Sequence, residues 1–186
     1  MTSDFSTLRR AVFLDRDGVI NVDHGYVYRW QDFEFLPGVP EALSDLNQAG
    51  FLLVVISNQS GIGRGLYTEA DVLNLNRDIE SHLAATGVAI DGWYHCPHHP
   101  TEAQGNYRQS CDCRKPAPGM ILRACRDLAI DPAQSALVGD KRSDIEAGDA
   151  AGVGRLFWVT PAEHSDLAQS VTSLAEAAAE ILTADA

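Results

Sequence analysis

Two unbroken apolar runs, Ala11 to Leu14 and Phe51 to Ile56, dominate the hydrophobic pattern of the N-terminal third, and each ends in polar residues. Continuous aliphatic runs of this length predict strands buried on both faces, as in a parallel sheet. Between them Pro37 to Ala49 carries Val39, Leu43 and Leu46 at helical spacing, with Pro40 near the start and Gly50 just past the end. That asymmetry of Pro and Gly marks a helix. Val72, Leu75, Ile79 and Leu83 form one stripe of a second helix, which Thr68 caps and Gly87 closes. Trp93 to His95, Ala136 to Val138 and Leu156 to Val159 read as further strands. Met120 to Leu128 is a helix with Ile121, Cys125 and Leu128 on one face, Ser143 caps another, and Ser173 to Leu182 is a terminal helix. Gly61 to Gly65 reads as a turn. Residues 96 to 117 have no period and are rich in Cys, His, Pro and Gly, so they form one long loop, a length that signals function or a metal staple.

Strand and helix alternate throughout, which predicts an α/β fold with a doubly wound parallel sheet. The 186 residues, 45% hydrophobic and without repeat or linker, suit one domain spanning 1–186. Fourteen basic and 26 acidic residues leave a net charge of −12, the wrong field for holding a nucleic-acid backbone. No apolar run approaches the roughly 20 residues of a bilayer span. Ala11 to Leu14 runs straight into Asp15, Arg16 and Asp17 instead of a cleavage site, so a cytoplasmic protein is expected, free of membrane. Cys96, Cys111 and Cys113 cluster beside His98 and His99, whereas Cys125 stands apart in the core face of its helix. In a reducing compartment that clustering points to metal before disulfide.

In a doubly wound sheet ligands bind at the carboxyl ends of the strands. Three strands there lead into Asp15-Arg16-Asp17-Gly18, Ser57-Asn58-Gln59-Ser60-Gly61 and Gly139-Asp140-Lys141. Carboxylates converging at about 4 Å repel by roughly 4 kcal/mol per pair at an effective dielectric near 20, so a cation is needed. Asp15, Asp140 and a backbone carbonyl at Asp17 suit Mg²⁺, which also prefers substrate phosphate. Ser57 and the backbone N–H groups of Asn58, Gln59 and Ser60 can donate to phosphoryl oxygens, and a lysine can neutralise them. The chain uses Arg twelve times and Lys twice, at Lys115 and Lys141, both beside these motifs. Of Asp15 and Asp17, one can attack phosphorus while the other handles the proton. Gly18 lets the second turn back toward the first. Asp144 reads first as a first-turn acid of its helix.

Phe13 to Gly18, Ser57 to Gly61, Cys113-Arg114-Lys115-Pro116 and Val138 to Lys141 resemble the four ordered motifs of the haloacid dehalogenase superfamily of phosphatases. Ile20 to Val27 and Cys96-Pro97-His98-His99-Pro100 with Cys111-Asp112-Cys113 are similar to its heptose bisphosphate phosphatase branch. The resemblance implies a Mg²⁺-dependent phosphoric monoester hydrolase, a monomer taking one phosphate from a small sugar bisphosphate through an aspartyl phosphate. It makes Asp15 the nucleophile, Asp17 the acid and base, and Ser57 and Lys115 phosphoryl stabilisers. Arg114 and Lys141 become substrate contacts, and Asp23, His24, Gly25 and Tyr26 the sugar side. It also selects His98 over His99, completing a structural zinc site of Cys96, His98, Cys111 and Cys113. Val19 departs from the motif, which usually has Thr there. Only a loop, a helix and a strand separate Asp23 from Ser57, so no cap domain is expected. Histidinol-phosphate phosphatases share the cysteine elements but lack Asp23 to Tyr26. A phospho-accepting receiver module carries its acceptor after the third strand, not the first.

Overall fold

The structure, a computed structural model, describes residues 8–160 and 164–184. Its sheet is built from β1 (Ala11–Leu14), β2 (Leu52–Asn58), β3 (Gly92–Cys96), β4 (Ala136–Gly139), β5 (Arg155–Val159) and β6 (Gln169–Val171). The strands lie in the order β3-β2-β1-β4-β5-β6, every neighbouring pair parallel. Helices α1 (Val39–Gln48), α2 (Ser60–Arg64), α3 (Glu69–Ala84), α4 (Gly119–Leu128), α5 (Arg142–Ala150) and α6 (Leu174–Thr183) complete it.

The period of two along a strand sorts the apolar runs between the two faces of the sheet. Val12, Leu14, Leu53 and Val55 pack with Leu43 and Leu46 of α1, Leu75 and Ile79 of α3 and Ile181 of α6. Ala11, Phe13, Val54 and Ile56 pack on the other side with Met120 and Ile121 of α4 and Ile145 of α5. Covering both faces explains why the runs need no polar alternation. Leu43 and Ile79 are fully buried, so truncating either to Ala costs about 2–5 kcal/mol. Because β1 lies between β2 and β4, the chain winds one way as far as β3 and the other way from β4. The crevice at the carboxyl ends of β1 and β4 is therefore the switch point where such sheets bind ligands.

Four local features differ from the sequence reading. Gly61 to Gly65 is not a simple turn, since Ser60–Arg64 is a helical turn that Gly65 closes in the left-handed region. The residue capping α5 is Lys141 rather than Ser143, with the Asp144 carboxylate accepting the Lys141 backbone N–H at 3.0 Å. The cysteine loop contains a 3-10 turn, Gly105–Tyr107. The edge strand β6 has no apolar run to announce it and exposes Gln169 and Ser170. The cap expected at Thr68 is present, accepting the Asp71 N–H in a reciprocal capping box, and Ser173 caps the last helix by accepting the N–H of Glu176. Between Asp23 and Ser57 the chain forms only the 3-10 turn Trp30–Asp32, α1 and most of β2, with no inserted domain. No helix among the described residues is long and apolar enough to cross a membrane.

Candidate active site

Asp15 follows directly on β1, its N–H donating to Val138 O of β4 at 3.0 Å, so the two strand ends are tied together where the carboxylates meet. Asp15, Asp140 and Asp144 each bring an oxygen within 4.8 Å of the others. Gly18 makes this possible: it takes φ +90, and a Cβ there would fall 2.3 Å from Asp140 Oδ2. Into the same cluster runs Lys115 from the end of the cysteine loop. Its Nζ donates to Asp15 Oδ1 at 2.7 Å and to Ile56 O at 2.9 Å, and lies 2.7 Å from Asp144 Oδ1 as an ion pair. Burial pulls the Lys115 ammonium down, but Asp15 and Asp144 outweigh it and hold the group charged well above its ordinary range. Burial pushes Asp15 up to about 7, with Lys115 pulling against it and Asp144 and Asp140 adding to the rise. Asp140 is raised by burial too, with Lys141 opposing.

Around this cluster lies a cavity of about 210 Å³, lined among others by Asp17, Asp23, Gly25, Tyr26, Ser57, Asn58, Gln59 and Lys141. Ser57 accepts from Gln59 Nε2 at 2.7 Å, which leaves its own O–H to donate elsewhere. The Asp17 carboxylate is outside the metal-spaced trio. Its Oδ1 accepts from Asn21 Nδ2 at 3.0 Å and from Arg16 Nη2 at 3.0 Å; its Oδ2 accepts from Arg16 Nη2 at 2.9 Å and Gln59 Nε2 at 3.1 Å. As a metal ligand, then, Asp17 retains only the backbone carbonyl proposed for it. Val19 is buried in the core, and the contacts that orient the Asp17 carboxylate come from Arg16, Asn21 and Gln59.

The remaining residues divide. Asp23 turns back to accept the Gly25 N–H at 2.9 Å, and Lys141 Nζ reaches it at 3.5 Å across the mouth. His24 is not on this cavity; it lines a neighbouring one of about 610 Å³ with Tyr28 and Phe33. Ser60 opens α2 and does not line the cavity. Asn58 presents its amide to the backbone of Lys115, donating to O and accepting from N, both at 3.1 Å, so it braces the lysine. Arg114 also lies off the cavity, its Nη1 donating to His98 O at 3.2 Å.

The donors fit two different ions. Three carboxylates face a single buried lysine, and Asp140 Oδ1 is buried without a donor. Such a hard, anionic oxygen set suits Mg²⁺. In the loop, the Sγ atoms of Cys96, Cys111 and Cys113 lie 2.9 to 3.5 Å apart, and His98 Nδ1 is 3.4 Å from Cys113 and 3.7 Å from Cys96. A tetrahedral zinc with bonds of about 2.3 Å to sulfur separates its donors by roughly 3.5–3.8 Å, a little wider than the thiols stand, and three free thiols with one imidazole are the donor types that suit it. His99 is instead turned to the Thr101 and Glu102 N–H groups.

Two residues and one contact escaped the sequence reading. Arg16, 1% exposed, grips Asp17 and also donates to Val27 O at 2.5 Å; an arginine between two candidate aspartates was a signal available in the sequence. Asp144 belongs to the cluster through Lys115, a contact that joins residues far apart in the chain. Tyr67 carried no local signal.

The HAD-hydrolase-like family profile matches residues 112–180. A relative from Escherichia coli K12, D-glycero-beta-D-manno-heptose-1,7-bisphosphate 7-phosphatase, is 54% identical over 77% of this chain and 75% of its own. One of the same name from Vibrio cholerae is 52% identical over 80% of each chain. Among solved structures, D,D-heptose 1,7-bisphosphate phosphatase from B. bronchiseptica, complexed with magnesium and phosphate, has a TM-score of 0.83 at 30% identity, covering 94% of this chain and 99% of that one.

Proposed function

The chain belongs to the haloacid dehalogenase-like hydrolases, among the heptose-1,7-bisphosphate 7-phosphatases, and from that premise we propose that it hydrolyses the 7-phosphate of D-glycero-β-D-manno-heptose 1,7-bisphosphate. The products are heptose 1-phosphate, ready for nucleotide activation in surface-sugar synthesis, and inorganic phosphate. What carries this reading is the Lys115–Asp15 pair at 2.7 Å in a cavity that Asp23, Gly25 and Tyr26 also line, a phosphoryl-transfer centre beside a loop able to meet a sugar.

An oxygen of Asp15 attacks phosphorus while the bond to the sugar O7 breaks, giving an aspartyl phosphate and a sugar alcohol. Asp17 supplies the proton that the departing alkoxide needs. The resulting Asp17 carboxylate then takes a proton from the water that attacks the aspartyl phosphate, and Asp15 is restored as phosphate leaves. Ser57 and the N–H of Asn58 donate to the phosphoryl oxygens, the Gln59 N–H being held by Cys96 O at 2.8 Å, and Lys115 offsets their charge. Asp15 and Asp140, with the Asp17 carbonyl, would hold Mg²⁺, which when bound supplies further positive charge to the phosphoryl group. Zinc in the Cys96, His98, Cys111 and Cys113 set would tie down the loop that delivers Lys115. Lys141, Asp23 and Tyr26 would meet the rest of the substrate. The whole chain is read as one phosphatase domain, working as a cytoplasmic monomer.

Phosphate release from the heptose bisphosphate and from histidinol phosphate, each with Mg²⁺, tests the reading. Clear preference for the bisphosphate is expected; preference for histidinol phosphate would overturn it.

A further inference from the structure

Tyr67 lies in the short link between α2 and α3, where Gly65 at φ +76 reverses the chain and Thr68 begins the next cap. The ring is turned inward and only 6% exposed. It stacks on Tyr28 with centroids 5.0 Å apart and meets Tyr26 of the sugar-side loop at 6.4 Å. Its slot exists because residue 61 has no side chain: a Cβ on Gly61 would come within 2.2 Å of Tyr67 Cε1. At the inner end the hydroxyl donates to Gln59 Oε1 at 2.6 Å. Gln59, itself 2% exposed, donates through Nε2 to Ser57 Oγ at 2.7 Å and to Asp17 Oδ2 at 3.1 Å.

The order of donors in this chain is fixed by chemistry. Turned the other way, the Gln59 amide would set its oxygen against the resting Asp17 carboxylate, a repulsion that the observed sense avoids while giving the Tyr67 O–H an amide oxygen to donate to. The phenol holds its proton, since burial pushes Tyr67 up to about 12. A neutral donor therefore sits at the far end of the chain, and in this arrangement the amide nitrogen faces Asp17.

We infer that Tyr67 and Gln59 are positioning residues for proton transfer: Tyr67 sets the sense of the Gln59 amide, and Gln59 holds the Asp17 carboxylate at the cavity wall where the leaving oxygen must be protonated. The inference rests on the phosphatase reading, in which Asp17 gives its proton to the departing alkoxide as the P–O bond breaks. Through Tyr26 and Tyr28 the same ring couples the sugar-side loop to that proton donor.

A sugar alkoxide cannot leave without a proton, whereas nitrophenolate can, so the two leaving groups separate a proton-positioning role from a general one. Tyr67→Phe keeps the ring in its slot and removes only the hydroxyl; Gln59→Met keeps the length and removes the amide. Single-turnover leaving-group release is measured for heptose bisphosphate and nitrophenyl phosphate. For Tyr67→Phe the sugar rate should fall by at least about tenfold and the aryl rate by less than about threefold, within the range that acid–base catalysis contributes; for Gln59→Met, which also strips a donor from Ser57, the sugar rate should fall further than the aryl rate. Equal losses on the two substrates, or no loss on either, would overturn the inference. If the unaltered enzyme releases phosphate from neither compound, the phosphatase reading falls and the inference falls with it.

Discussion

Asp15, Asp140 and Asp144 at the end of the sheet, and Cys96, His98, Cys111 and Cys113 in the loop, each gather within ion-binding distance, yet the two groups are built in opposite ways. The rim offers hard oxygens, leaves Asp140 Oδ1 without a donor and opens on a cavity. The loop offers soft sulfur and nitrogen in a set of four that closes on itself. A site with spare coordination beside a cavity can act on a substrate, whereas a site that uses all four positions on the protein can only hold its own chain in place. The two are nevertheless joined, because Lys115 stands two residues after Cys113 and is braced on both backbone atoms by Asn58.

The sharpest separation comes from the rim. Asp15→Asn should lower phosphate release by about a thousandfold or more, since an amide is a poor nucleophile, while Tm stays close to that of the unaltered protein. The matching change in the loop, Cys113→Ser, should do the reverse. Elemental analysis should find about one zinc per chain before the change and far less after it. Tm should drop by roughly 6–12 °C, the shift that about 3 kcal/mol produces in a chain of this size. Turnover of the remaining folded enzyme should fall by no more than about tenfold, through a looser Lys115. A Cys113 variant with full stability and no activity would erase the distinction between the two regions.

The rim also has a pH signature near neutral pH. Asp15 is raised from 3.8 to about 7 in the folded protein, with burial the first cause. A raised acid stabilises the fold fully below its unfolded pKa, and that contribution is lost as pH climbs through about 7, when a buried negative charge must be borne. Mg²⁺ should relieve this charge, so the rise in Tm on adding Mg²⁺ should be larger at about pH 8 than at about pH 6. A rise independent of pH would place the ion away from Asp15. Arg114→Ala should have the smallest effect. It lies off the cavity and, one residue before Lys115, braces His98 O, so a loss of a few-fold in kcat/KM is expected, larger for the bisphosphate than for a small phosphomonoester. Equal losses would assign Arg114 to the loop alone.

How legible each region was follows from how local its causes are. β1 and the sides of α1 could be read because burial on one or two faces writes its period directly into the apolar positions. The three thiols could be found because few other roles bring Cys and His so close together in sequence, whereas spacing left His98 and His99 both open and the family resemblance chose between them. The helical turn at Ser60–Arg64 was hidden because Gly61 and Gly63 look like a turn, and only the ring of Tyr67 and the backbone of Pro97 explain why neither position carries a side chain. Asp144 looked like a helix-end acid, and it is one; its second task, pairing with Lys115, depends on a contact between residues that the sequence does not place side by side. β6 was missed because an edge strand with two exposed polar residues needs no apolar run.

The division of labour stands or falls on where the phosphoryl group goes first. Acid quenching during turnover of the heptose bisphosphate, followed by mass spectrometry of the peptides, should find a phosphoryl adduct on Asp15, absent in Asp15→Asn and retained in Cys113→Ser. An adduct on His98, His99 or any other residue, or turnover with no adduct at all, would contradict the assignment of the chemistry to the rim.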